Sequence, residues 1–160
     1  MSRSDRQDNG RTLDDERALE VLRAAGWFPG RSIVPQVEKW SSSLDQPGGF
    51  EIFEAARGAL AEFGGLCVRM SGPGQEVARA SFNLDPMLAQ GEEERFADHG
   101  AQFMTRLYPL GEASDGNSFL AIDSIGRIYL LLDSCVLLAA STLEGLKFLI
   151  LGRRASSQSQ

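Results

Sequence analysis

A pair of glycines, Gly64 and Gly65, divides the chain between two hydrophobic periods. Before them apolar residues recur at helical spacing; after them they run in short strand-like segments bounded by turn residues. Thr12 can cap a first helix, whose opening turn carries Asp14, Asp15 and Glu16. Ala18, Leu19, Leu22 and Ala25 share one face of it, and Gly26 stops it. Trp27 and Phe28 follow in a turn. Pro35 suits the first turn of a second helix carrying Val37, Trp40 and Leu44, which residues 46–49 break. A third helix aligns Phe50, Phe53, Ala56, Leu60 and Phe63 up to the glycine pair.

Beyond the pair, strands are expected at residues 66–70 and 77–82, joined by a turn at Gly72-Pro73-Gly74. Residues 87–99 read as a short helix plus loop, 103–109 as a third strand and 111–117 as a polar loop. Residues 119–123 and 128–132 form a hairpin with Gly126 at a positive-φ position, and 136–140 add a further strand. Ser141 and Glu144 make a capping box for a last helix that Gly152 terminates. The pattern predicts a single α+β domain over residues 12–152: N-terminal helices, a mostly antiparallel sheet of about five or six strands, and a C-terminal helix. Residues 1–11 and 153–160 are polar and read as disordered tails.

No apolar run approaches the roughly 18 residues a membrane span needs. Residues 1–8 show no apolar core of a secretory signal, so a cytoplasmic protein with no membrane partner is expected. The net charge of −6 disfavours direct nucleic-acid binding. The charge is uneven: residues 85–144 hold ten acids and three bases, a net of −7. Such a segment is either a solvated surface or a docking face for a basic partner. Its candidate binding residues are Glu92, Glu93, Glu94, Asp98, Glu112 and Asp115, placed by this reading in two polar loops flanking the strand at 103–109.

Chemistry-bearing motifs are sparse. His99 is the only histidine, in the segment Asp98-His99-Gly100 that reads as a solvated loop. Cys67 and Cys135 read as free core thiols. Ser118 lies outside any nucleophile elbow, and Gly72-Pro73-Gly74 lacks the residues of a phosphate loop. The acidic triplets read as helix faces rather than paired catalytic carboxylates. These residues point to a binding protein without catalysis, metal or cofactor.

Five segments occur in a familiar order: AGWFPGR at 25–31, EFGGL at 62–66, LYPLG at 107–111, IDSIGRIY at 122–129 and LILGR at 149–153. With them the chain resembles the SUKH superfamily, specifically its third immunity branch, over about residues 13–153. Gly145 departs from the pattern, because a better helix former is usual there. The resemblance implies an immunity protein that binds and neutralises a cognate bacterial polymorphic toxin, commonly a nuclease or deaminase, and that is a monomer when free. It carries over no catalytic residue. It implies structural roles for Gly26, Trp27, Gly64, Gly65 and Gly126, and leaves Arg31 as either an ion-pair partner or an interface residue. A regulatory scaffold that binds several proteins is the other reading of the same features.

Overall fold

The computed structural model describes residues 3–155, with side chains from residue 13 onward. Three helices come first: α1 (Arg3–Ala24), α2 (Val34–Leu44) and α3 (Glu54–Phe63). Two short strands follow, β1 (Cys67–Val68) and β2 (Phe82–Asn83). A 3₁₀ turn at Pro86–Ala89 leads into α4 (Glu93–Gln102). Then come β3 (Tyr108–Ala113), β4 (Ser118–Ile122), β5 (Ile128–Leu131), β6 (Cys135–Ala139) and α5 (Thr142–Leu151). The six strands pair antiparallel in chain order, β1 to β6. This is the α+β architecture expected from the period change.

The segment after α1 caps α3. Helix C-termini leave carbonyls without intrahelical partners. Here the Arg31 guanidinium donates to the Glu62 and Gly64 carbonyls at 2.7 and 2.8 Å, and the Ile33 amide donates to the Ala61 carbonyl at 2.9 Å. Arg31 is therefore a structural residue. Trp27 stacks on Phe63 at 6.2 Å between ring centroids, and its indole N–H donates to the Glu62 carboxylate at 3.0 Å. The glycine pair makes this join possible. A Cβ on Gly64 would lie 2.8 Å from the Trp40 ring, and Gly65 turns the chain at φ +82°. The Gly65 amide then donates to the Leu84 carbonyl, tying the join to the sheet side.

Helices cover both faces of the sheet. Gly145 of α5 packs on Ile128, where a Cβ would lie 3.2 Å from a methyl carbon, so this residue is small because helix and strand meet there. On the opposite face α4 lays Phe96 against Phe119, and the following Phe103 against Tyr129, at 5.6 and 4.9 Å. Phe50, just before α3, meets both Phe96 and Tyr108 edge-on.

The β4–β5 turn is built on Asp123, whose side chain is fully buried. One carboxylate oxygen accepts the Ile125 and Arg127 amides at 3.0 and 2.9 Å; the other accepts the Arg127 guanidinium and the Tyr129 hydroxyl at 2.7 and 2.8 Å. Gly126 supplies the positive φ, +94°, as expected. Burial alone would raise the Asp123 pKa. The hydrogen bonds from the Arg127 side chain, the Arg127 amide, Tyr129 and Ile125 outweigh it and hold the carboxyl below its ordinary value.

Several boundaries differ from expectation. α1 runs back to Arg3 instead of starting at a Thr12 cap. Its backbone overlaps the expected tail at 1–11, of which residues 1–2 lie outside the described residues; so do residues 156–160 of the C-terminal tail. The strands at 66–70 and 77–82 shrink to two residues each. The Ser81 hydroxyl bonds both the amide and the carbonyl of Met70, at 2.9 Å each, where ladder bonds would otherwise stand. Residues 73–80 turn to the end of α5: the Gln75 amide donates to Leu151, Glu76 and Val77 to Gly152, and Ala80 to Leu149. The loop thus satisfies the carbonyls that the helix end leaves open. Strand β3 starts at Tyr108, not 103, because α4 extends to Gln102 and the Thr105 amide closes its end onto the Gly100 carbonyl. Residues 111–113, expected in a loop, belong to β3, and the turn is confined to Ser114–Asn117. The capping Ser141 is as expected, accepting the Glu144 amide at 3.3 Å, and Gly152 ends α5 in the left-handed region.

Two outcomes follow for stability. Trp27→Ala removes a buried ring and its carboxylate contact, so unfolding free energy should fall by roughly 3–5 kcal/mol in denaturant titration; a value near zero would show that the turn does not anchor α3. Asp123 is more acidic folded than unfolded, where about 3.9 is ordinary. Its contribution is complete above that value and is lost as pH falls through the lower folded value. Asp123→Asn should destabilise at pH 7 and flatten the acid limb of stability against pH, measured by urea melts across that range.

Candidate functional site

The six candidate acids do not lie in two loops flanking one strand. Glu92 is the N-cap residue of α4, Glu93 and Glu94 form its first turn, and Asp98 stands one turn further. Carboxylates there oppose the positive end of the helix dipole, which is why an acidic run starts this helix. Glu93 turns back to accept the Gly91 amide at 3.2 Å. Glu112 lies within β3, and Asp115 in the β3–β4 turn at φ +56°.

The strand register nevertheless puts Glu112 on the face that α4 covers. Residues directly opposite each other across a sheet share a face. Cys67 pairs with Asn83, Asn83 with Glu112, and Glu112 with Phe119. Phe119 is the residue on which α4 rests: Phe96 packs on its ring, and the Arg95 guanidinium lies 5.5 Å above it. Glu112 therefore projects from the sheet face that α4 covers, on the strand next to the one α4 rests on.

Two clefts open on these groups. One, of about 370 Å³, lies along α4 and is lined by Glu92, Glu94, Arg95, Asp98, His99 and Gln102 among others. The second, of about 290 Å³, is lined by Cys67, Arg69, Asn83, Glu112 and Asp115 among others.

His99 overturns its reading as a solvated loop residue. It sits in α4, is only 8% exposed, and its Nδ1 has no hydrogen-bond partner. Gly100 misled the sequence reading. It is glycine because the Thr105 carbonyl approaches to where a Cβ would lie 2.5 Å away, not because the helix ends there.

Groups of catalytic type are differently placed. Asp123 is fully engaged in its turn. Cys67 and Cys135 are both free, the first exposed and the second half-buried. Burial pushes the Cys135 thiol up to about 11, so it stays protonated at neutral pH. Burial likewise pushes the Tyr108 phenol up to about 12, and the buried hydroxyl has no partner. Tyr129 is raised by burial and by its bond to Asp123. Among the described residues, no group of three or more His, Cys, Asp or Glu is arranged to hold a metal ion. No described helix is long and apolar enough to cross a membrane.

The structural residues expected from the sequence can be placed directly. Trp27, Gly64 and Gly65 form the α3 join, Gly26 leads into it at φ +116°, and Gly126 sits in the Asp123 turn. No curated protein and no solved structure matches the chain. Residues 14–152, nearly the whole described chain, match the SUKH-3 immunity protein family. The matched span begins inside α1 and ends at the residue that caps α5, so it takes in every strand and all the candidate acids. The chain belongs to the SUKH-3 immunity protein family.

Proposed function

We propose that this protein neutralises a cognate toxin, a nuclease or deaminase, by binding it through the acidic face formed by α4, Glu112 and Asp115. Membership in an immunity family supports the immunity role. The observation that supports the surface assignment is the row from Glu112 to Phe119 beneath α4, which turns Glu112 to the side of the sheet that α4 covers. An enzyme that handles nucleic acid presents cationic groups to phosphate, and a carboxylate surface competes for them. Rim charges of this kind raise the association rate, while a few buried contacts set the dissociation rate.

The protein acts by occupancy, without catalysis. Burial holds Tyr108, Tyr129 and Cys135 protonated and Asp123 is engaged in its turn, which suits a binding module. The functional unit is the domain at 12–152, cytoplasmic and monomeric before it meets the toxin.

Pull-down from cells that encode the cognate toxin should recover one protein, tightly held. Recovery of several weakly held proteins would instead favour a regulatory scaffold. Replacing Glu92, Glu93 and Glu94 together with Gln should slow association and flatten its salt dependence, read by stopped flow at low and high salt. Each of these acids also favours the helix N-terminus by about 0.3–1 kcal/mol. Rates are therefore compared at a temperature where both proteins are folded. Unchanged rates at both salt concentrations would move the interface elsewhere, first to the segment at Gly72 to Gly74.

A further inference from the structure

The sheet has two edges, and they differ. β1 is two residues long, which leaves little backbone to pair. β6, at the other end of the strand order, runs from Cys135 to Ala139 and pairs on one side only, with β5. Among the described residues, no backbone group from elsewhere bonds to it. Folded proteins blunt such an edge with a lysine, a proline or another charge, because its free amides and carbonyls template a further strand. β6 reads Cys-Val-Leu-Leu-Ala and carries none of these. Its one irregularity is a slip in register at Leu138, whose side chain is buried. Val136 and, just before the strand, Leu132 are exposed. An open row of backbone groups flanked by apolar side chains is what strand addition uses.

The charges around the edge select the occupant. Residues 128–146 contain no lysine or arginine and two acids, Asp133 before β6 and Glu144 after it, both exposed. Arg95 reaches this edge from α4, but it is engaged by the Leu132 carbonyl at 2.5 Å and by the Phe119 ring. Resting on the toxin-binding reading, we propose that the free edge of β6 takes up an extended segment of the toxin as a seventh strand, apolar in its middle and basic at both ends. A second copy of this chain fits less well. Antiparallel pairing of β6 with itself about Leu137 sets residue 133 of one copy opposite residue 141 of the other. Asp133 then faces the first turn of the other copy's α5, where Glu144 stands, and this happens at both ends. Like charges brought together across a sheet oppose pairing. The Arg95 contact also joins this edge to α4, so one partner can touch the edge and the acidic face together. Backbone bonds then hold the strand, and the acids steer its approach.

The full chain is titrated with acetyl-Arg-Val-Thr-Val-Thr-Val-Arg-amide and followed by amide NMR signals and amide exchange. The peptide should shift residues 134–140 in a saturable way and slow their exchange. The same peptide with glutamate at both ends should bind about tenfold more weakly. A version methylated at every internal amide nitrogen should not slow exchange. Val136→Lys puts a charge on the edge at an exposed position; it should keep its melting temperature and lose the response. Shifts that are absent or centred elsewhere, equal binding by the glutamate or methylated peptide, or a response that survives in Val136→Lys would each overturn the proposal. A dimer of the free chain that Val136→Lys abolishes would give the edge to a second copy instead. The toxin reading fails separately. If Val136→Lys protects cells as the parent does, the edge is not the toxin contact and the immunity role stands. If the parent binds the peptide but recovers no toxin, the open edge stands and the toxin is lost as its strand donor.

Discussion

The carbonyl groups left open at the end of α3 govern how the two halves of this protein meet. A helix that ends inside a domain must find donors for them. The chain supplies the Arg31 guanidinium and the Ile33 amide from a segment that lies earlier in sequence. That requirement fixes the path from α1 to α2, places Trp27 against Phe63, and demands a residue without a side chain at 64 so that Trp40 can close the gap. The glycine pair is thus the point where helical layer, capping turn and sheet are joined. The same solution recurs at the other end of the molecule. There the α5 carbonyls are satisfied by amides from residues 75–80, which gives up strand pairing to do so.

That trade explains which parts of the structure were legible in the sequence. Features decided within four or five residues were readable: the Ser141 cap, the Gly126 turn, the Pro35 helix start and the hairpin of β4 and β5. Features decided by distant partners were not. Residues 66–70 and 77–82 carry strand composition, but their backbone groups bond to Ser81 and to the end of α5. Gly100 and Gly111 both resembled loop residues. One yields to the Thr105 carbonyl and the other to the Asn83 carbonyl, each at a close approach that only the folded state creates. The acidic run was plain in the sequence. That Glu112 lies on the sheet face beneath α4 was not, because that depends on register across β3 and β4. The burial of His99 was hidden by the glycine beside it.

The structure also separates what holds the fold from what faces a partner. Asp123, the buried acid of the 85–144 segment, spends its charge on Arg127, Tyr129 and two amides. The six candidate acids lie outside such networks, apart from the bond between Glu93 and the Gly91 amide. Counting acids along the sequence therefore mixes two populations, one that stabilises a turn and one that shapes the surface field. Only the second is available to steer a basic partner.

Helix α4 shows how such a surface can carry specificity without endangering the core. It is fastened to the sheet by Phe96 on Phe119, by Phe103 just beyond its end on Tyr129, and by Arg95 over the Phe119 ring. These contacts use one side of the helix. Glu94, Asp98 and Gln102 on the other side are exposed and leave the packing untouched. Substitution at exposed positions beyond the first turn, such as Asp98 and Gln102, changes stability by about 0.5 kcal/mol or less, while a charge reversed at a binding surface changes both encounter rate and partner choice. His99 stands at the boundary between the two sides, buried yet lining the acidic cleft.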